Sequence, residues 1–127
     1  MATSPQALRR VLLRWYAREA RDLPWRAARD PWRTWVSEVM LQQTRVEAVV
    51  PRFESFLEAF PTMQAMARAD EAEVLARWSG LGYYRRARLL HAGARFVVER
   101  LQGRLPTDRR ELERVPGIGR YTAGALL

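Results

Sequence analysis

The sequence contains no cysteine and no lysine. Without cysteine it forms no disulfide and offers no thiolate to a metal. Without lysine, no side-chain amine is present to form a Schiff base with a sugar or carbonyl carbon. Histidine occurs once, at position 91. It has no evident ligand partner and reads as a structural or surface residue. No apolar run approaches the ~20 residues of a membrane span. The opening segment MATSPQALRRVLLRWY lacks a signal-peptide layout, so the expected location is the cytoplasm. Period-two alternation, internal repeats and low-complexity linkers are also missing, which argues against strands and solenoids.

What remains is 127 residues with 48% hydrophobic content, enough for one domain with a real core. All 22 basic residues are arginine, against 14 acidic ones, for a formal net charge of +8. Guanidinium groups pair bidentately with phosphate, so a surplus of this size favours a polyanionic partner. A compositional bias toward arginine on a soluble surface explains the same numbers. The nucleic-acid reading adds an expectation of association with the nucleoid.

Helical spacing dominates the chain. Leu8, Val11, Leu12, Trp15 and Tyr16 recur at three and four residues, predicting an amphipathic helix over 5–20. DLPWRAARDP is a connector, with Asp30 and Pro31 placed as N-cap and first helical residue. Trp32, Trp35, Val36, Val39 and Met40 then give the next helix an apolar face. Thr44 and Glu47 have the form of a capping box opening a helix toward Phe60, with Pro51 expected to bend or delay it. Asp70 and Glu73 form a second such box before a helix that SGLG (79–82) ends. Residues 83–102 predict another helix, closing at Gly103, and Thr107 is placed to cap a short one reaching Arg114. Short connections between about seven helices imply an all-α domain.

Three segments carry chemistry. In LERVPGIGRYTAGALL, Leu112 and Val115 precede a turn, and Ala123, Leu126 and Leu127 follow it. Gly117 and Gly119 allow unusual backbone conformations and close approach, while Ile118 is placed to pack beneath both helices. Bare N–H groups at a helix start suit an anion such as a DNA phosphate, with Arg120 adjacent. A plain αα-hairpin uses glycines in the same way. The whole pattern nevertheless resembles the helix-hairpin-helix phosphate-binding motif.

In WVSEVMLQQT, Glu38 sits among apolar neighbours and shares a face with Gln42 and Arg45 by four-and-three spacing. A carboxyl group in partly apolar surroundings holds its proton near neutral pH, as a general acid must. A solvated glutamate paired with Arg45 satisfies the spacing equally well. In SGLGYYRRARLL, glycines bracket Leu81, and Tyr83 and Tyr84 lead a helix bearing Arg85, Arg86 and Arg88. Such a loop can wedge between bases while its arginines hold phosphates, or simply cap a helix and pack a core.

Together LPWR, DPWRTWVSEVMLQQTRVEAVVPRF, GLGYYRRARLLH and VPGIGRYTAGALL resemble the N-terminal half of the MutY family of adenine DNA glycosylases, within the helix-hairpin-helix glycosylase superfamily. The resemblance spans about residues 5–127. It implies the helical-barrel fold of that superfamily, incomplete at the C-terminus, with residues 1–22 as an N-terminal helix and 23–127 as the barrel. The hairpin lies at about 108–127.

The implied activity is removal of adenine mispaired with 8-oxoguanine or guanine from double-stranded DNA, by a monomer that hydrolyses the N-glycosidic bond. Glu38 is implied as the acid, with Tyr121 near the reacting centre and Trp25 and Arg26 lining the adenine pocket. Gln42, Gln43, Thr44, Leu81, Gly82, Tyr83 and Arg86 are implied on the duplex. Gly117, Ile118, Gly119, Arg120 and Thr122 are implied at its phosphates.

The resemblance also implies parts that these residues do not supply. They are a second carboxylate to stabilise an oxocarbenium-like sugar, a [4Fe–4S] cluster, and a domain that reads 8-oxoguanine. The expectation is negligible excision by residues 1–127 alone. Leu8, Val11, Leu12 and Trp15 are further expected to form an exposed apolar stripe, because the family packs its first helix on the cluster domain. An endonuclease III-like lyase needs a lysine, and its relatives place one where this sequence has Tyr121. A non-catalytic helix-hairpin-helix DNA-binding module explains the charge and the turn but gives Glu38 no role. An α-helical protein-interaction domain has little to support it.

Overall fold

The computed structural model describes Gln6, Arg9, Arg10, residues 30–42 and residues 44–127. The stripe of Leu8, Val11, Leu12 and Trp15 lies outside the described residues, as do Trp25, Arg26 and Gln43. Seven helices run through residues 30–127: α1 Pro31–Met40, α2 Val46–Ala59, α3 Met63–Arg68, α4 Glu71–Trp78, α5 Tyr84–Arg100, α6 Arg109–Leu112 and α7 Arg120–Leu126. The described residues contain no strand, and none of their helices is long and apolar enough to cross a membrane.

Asp30 and Pro31 open α1 as their spacing predicts. Asp30 Oδ1 accepts from the backbone N–H of Trp32 at 3.0 Å and of Arg33 at 3.5 Å. Capping of this kind is worth about 1 kcal/mol. Three other boundaries depart from expectation. Helix α2 starts at Val46, with Arg45 in the N-cap position and no side-chain cap; Thr44 stands one residue too early to serve. The helix continues through Pro51, which leaves the Glu47 carbonyl without its helical N–H. Asp70 does precede α4, yet it caps through position and the acidic first turn, without a side-chain hydrogen bond. Before α6 the cap is Asp108, not Thr107. Its carboxylate accepts from Glu111 N–H at 3.1 Å, and the helix ends at Leu112 rather than Arg114. A carboxylate at that position adds charge complementarity that the neighbouring hydroxyl lacks.

The core joins α1, α2, α4 and α5. Trp35, Phe53, Phe56, Phe60, Trp78 and Leu90 are fully buried. Phe56 packs edge-on against Phe60 at 4.9 Å and Trp78 at 5.7 Å between ring centroids. Such pairs add about 0.5–1.5 kcal/mol each beyond their buried area. Trp32 Nε1 donates to the Phe60 carbonyl at 2.8 Å, tying the start of α1 to the end of α2. Helix α5 lies against α3, α4 and α1, and α7 lies against α1 and α6. His91 on α5 is buried, with Nε2 2.9 Å from the Ala69 carbonyl. Burial, reinforced by the Arg95 charge, pushes its pKa below the ordinary value.

Where α5 meets α1 and the turn at 116–119, there is room for hydrogen only. A Cβ on Gly93 would strike the Pro116 carbonyl and stand 2.7 Å from Trp35 Cζ2. Helix α1 and the segment that leads into α7 are thus both held closely against α5 at Gly93.

Candidate functional site

Glu38 projects from α1 into a buried position: its side chain is 4% exposed. Oε1 has no hydrogen-bond partner among the described residues, although Arg9 Nε approaches it at 3.4 Å. Burial raises the Glu38 pKa above the ordinary carboxylate value, and the Arg9 guanidinium opposes that rise. Arg45 is not the partner. Helix α1 ends at Met40, so the four-and-three spacing does not carry on to position 45, which instead leads into α2.

A cavity of about 470 Å³ opens in front of Glu38. Leu41, Gln42 and Arg86 line one side, and Gly119 to Thr122 at the start of α7 line another. Gln42 Nε2 donates to Thr122 Oγ1 at 3.3 Å across the wall. Thr122 is 1% exposed, so its side chain serves this contact and is sealed from a surface partner. Tyr121 stands at the rim, 80% exposed. A second cavity of about 350 Å³ shares Gln42 and Arg86 with the first and is bounded by Tyr83, Leu89 and Gly117. Arg86 is half-buried, which lowers its pKa, and its Cζ lies 6.0 Å from the centre of the Tyr83 ring.

The loop before α5 is wound through positive φ angles: 94° at Gly80, 70° at Gly82 and 52° at Tyr83. A left-handed tyrosine costs about 1–2 kcal/mol. It leaves the Tyr83 ring 56% exposed, while Trp78 Nε1 holds the loop by donating to the Gly82 carbonyl at 2.9 Å. Leu81, expected as a wedge beside Tyr83, is instead buried in the core and only 6% exposed. Of the two side chains, Tyr83 is the one that stands free of the core.

At the turn, the two glycines separate. Gly117 has φ +83°, and a Cβ there would meet the Leu89 carbonyl at 2.9 Å, so folding alone demands glycine. Gly119 is extended (φ −92°, ψ −171°), and a Cβ there would meet nothing within 4 Å. The chain itself leaves that space empty. Gly119 is also the N-cap of α7 and carries no side chain to satisfy the first-turn N–H groups. Ile118 is buried beneath the turn, as its position predicts, so only its backbone is available to a ligand. Arg120 is exposed, and its carbonyl accepts from Arg109 Nη1 at 3.4 Å. Thr44 is half-buried and Gln42 exposed. Sequence reasoning missed Arg9 as the partner of Glu38 and the Gln42–Thr122 bond; both join residues far apart in the chain.

Among the described residues no donor set for a metal centre is brought together. The sequence has no cysteine, and no group of three His, Asp or Glu among the described residues is placed to hold an ion. A [4Fe–4S] cluster therefore does not fit this segment, and no step below passes through one.

Comparison with known proteins agrees with this geometry. The chain is 49% identical to an adenine DNA glycosylase of Rattus norvegicus over 94% of its own length and 25% of the relative. It is 46% identical to one of Mycolicibacterium smegmatis, over 91% of this chain and 40% of that protein. It thus spans about a quarter of the mammalian relatives it matches. A thermostable thymine-DNA glycosylase superposes with a TM-score of 0.71 at 26% identity, over 96% of this chain and 57% of that one. Residues 36–123, which include Glu38, Tyr83 and the glycine turn, match the family described as HhH-GPD superfamily base excision DNA repair protein, and the chain belongs to that superfamily.

Proposed function

We propose that the chain is the acid-bearing half of a monofunctional adenine DNA glycosylase acting on adenine opposite 8-oxoguanine or guanine. One observation carries the reading: a carboxylate 4% exposed, with an unpartnered oxygen, faces a cavity of about 470 Å³ at the start of α7. Chemistry on a stacked base requires extruding it from the duplex, and an aromatic side chain is suited to fill the gap. Tyr83 takes that role. Burial disfavours the Glu38 anion, and its carboxyl in the protonated form delivers a proton to the ring of the extruded adenine, which becomes a better leaving group. Gly119 and the first N–H groups of α7 receive a backbone phosphate, with Arg120 adding charge. Trp25 and Arg26 would complete the base pocket, and Gln43 and Thr44 would contact the opposite strand.

The relatives' longer chains leave room for the second carboxylate that stabilises the sugar cation, so excision by residues 1–127 alone is expected to be negligible. The lysine-free sequence supports hydrolysis without a Schiff base. Such a protein acts as a monomer on chromosomal DNA. Fluorescence anisotropy tests the reading. The chain should bind a duplex containing adenine opposite 8-oxoguanine more tightly than a matched duplex, and borohydride should trap no covalent adduct. Equal affinity for both duplexes would make it a non-catalytic DNA-binding module.

A further inference from the structure

Two side chains line both cavities: Gln42, just beyond the end of α1, and Arg86, in the first turn of α5. They form the partition between the cavity in front of Glu38 and the one bounded by Tyr83. Arg86 differs from other arginines of its helix. Arg88 is paired with Glu71 at 2.9 Å, and Arg95 donates to the Ala67 and Ala69 carbonyls. Arg86 is half-buried, yet among the described residues no carboxylate or carbonyl accepts from it. The Tyr83 ring centre lies 6.0 Å from its Cζ, at the outer limit of a cation–π contact. A guanidinium carries five N–H donors, and drawing it part-way out of water without an acceptor costs the free fold. The described residues supply no anion there.

We propose that Arg86 binds a phosphate flanking the extruded nucleotide, distinct from the one received at Gly119. The proposal rests on the base-extrusion reading above. With the base before Glu38 and Tyr83 in the gap it leaves, the strand joining them has to cross the partition. Gln42 is uncharged, so the cation at that crossing is Arg86. A phosphate there takes two of its donors in the bidentate geometry a guanidinium favours, and replaces the water that burial removed. The contact forms only once the base has left the stack, because a stacked nucleotide keeps its phosphate on the outside of the duplex. Arg86 thus favours the extruded state over the stacked one, whereas the glycine turn holds a strand in either.

Fluorescence anisotropy over a salt series tests this with two duplexes, one carrying adenine opposite 8-oxoguanine and one fully matched. Arg86→Gln should weaken binding to the mispair about tenfold, and to the matched duplex by less than about twofold. The slope of log affinity against log salt should fall by about 0.9 for the mispair alone, the value of one phosphate contact. Arg86→Lys retains the charge and should retain the slope. Arg86→Gln should melt at or above the parent, because it removes a half-buried cation with no partner in the free chain. A melting temperature well below the parent's would make Arg86 a structural residue and overturn the assignment. Equal losses on both duplexes, or none on either, would overturn it while leaving the base pocket intact. A parent chain that binds both duplexes equally would remove the extrusion reading and the proposal together.

Discussion

Arg9 Nε stands 3.4 Å from Glu38 Oε1, so a guanidinium 43% exposed meets a carboxylate 4% exposed. The two groups have opposite effects on one proton. Burial retains it on Glu38 and the positive charge expels it. Replacing Arg9 by alanine removes the expelling influence only. The Glu38 titration midpoint, followed by carboxyl carbon NMR, should move to higher pH in Arg9→Ala. An unchanged midpoint would mean that solvent already screens the pair.

Glu38→Gln should stabilise the fold at neutral pH. A raised folded-state pKa means that the native carboxyl favours protonation more than the unfolded one does. Its stabilising contribution is present below the unfolded value, near 4.5, and is lost as pH rises through the folded one. The melting temperature of Glu38→Gln should therefore exceed the parent's at pH 7–8, with the gap closing toward pH 4. A gap that widens in acid would contradict the burial argument.

The two glycines of the turn should fail differently. Gly117→Ala forces a side chain into φ +83° and against the Leu89 carbonyl, and should cost about 1–3 kcal/mol by thermal melting. Gly119→Ala, in extended backbone with open space, should melt within about 0.5 kcal/mol of the parent. Its methyl group would instead obstruct a phosphate, and duplex affinity by anisotropy should fall about tenfold. Normal DNA binding by a folded Gly119→Ala protein would detach the turn from the phosphate.

Tyr83 is held at φ +52° and is 56% exposed, a backbone conformation that costs the free fold about 1–2 kcal/mol. Asparagine tolerates the left-handed region better. Tyr83→Asn should melt at or slightly above the parent while losing about 1–3 kcal/mol of duplex binding, the usual value of stacking one base on an aromatic ring. A large drop in melting temperature would make Tyr83 a structural residue.

The parts of the site that could be read from sequence are those determined locally. Asp30–Pro31, the apolar face around Glu38 and the buried Ile118 follow from residues within one or two turns of each other. Local rules failed where two neighbours compete for one job. Thr44 and Thr107 both satisfy a capping pattern, but the backbone enters each helix one residue later. Leu81 and Tyr83 both suit a wedge, and only the winding of the loop decides that one turns inward. The Gln42–Thr122 bond spans 80 residues, and the Arg9–Glu38 pair joins α1 to a residue well before it in the chain. Such contacts have no signature in spacing because tertiary packing creates them.

Gly93 determines more than it touches. Its missing methyl lets α5 lie directly on the Trp35 ring and the Pro116 carbonyl, so a single hydrogen atom sets how closely α5 approaches both the Glu38-bearing helix and the glycine turn. That makes position 93 a ruler. Each carbon added there would push α5 away from the Glu38-bearing helix and from the glycine turn together. Under the proposed function, the group offered to the base and the backbone offered to the phosphate would fall out of register.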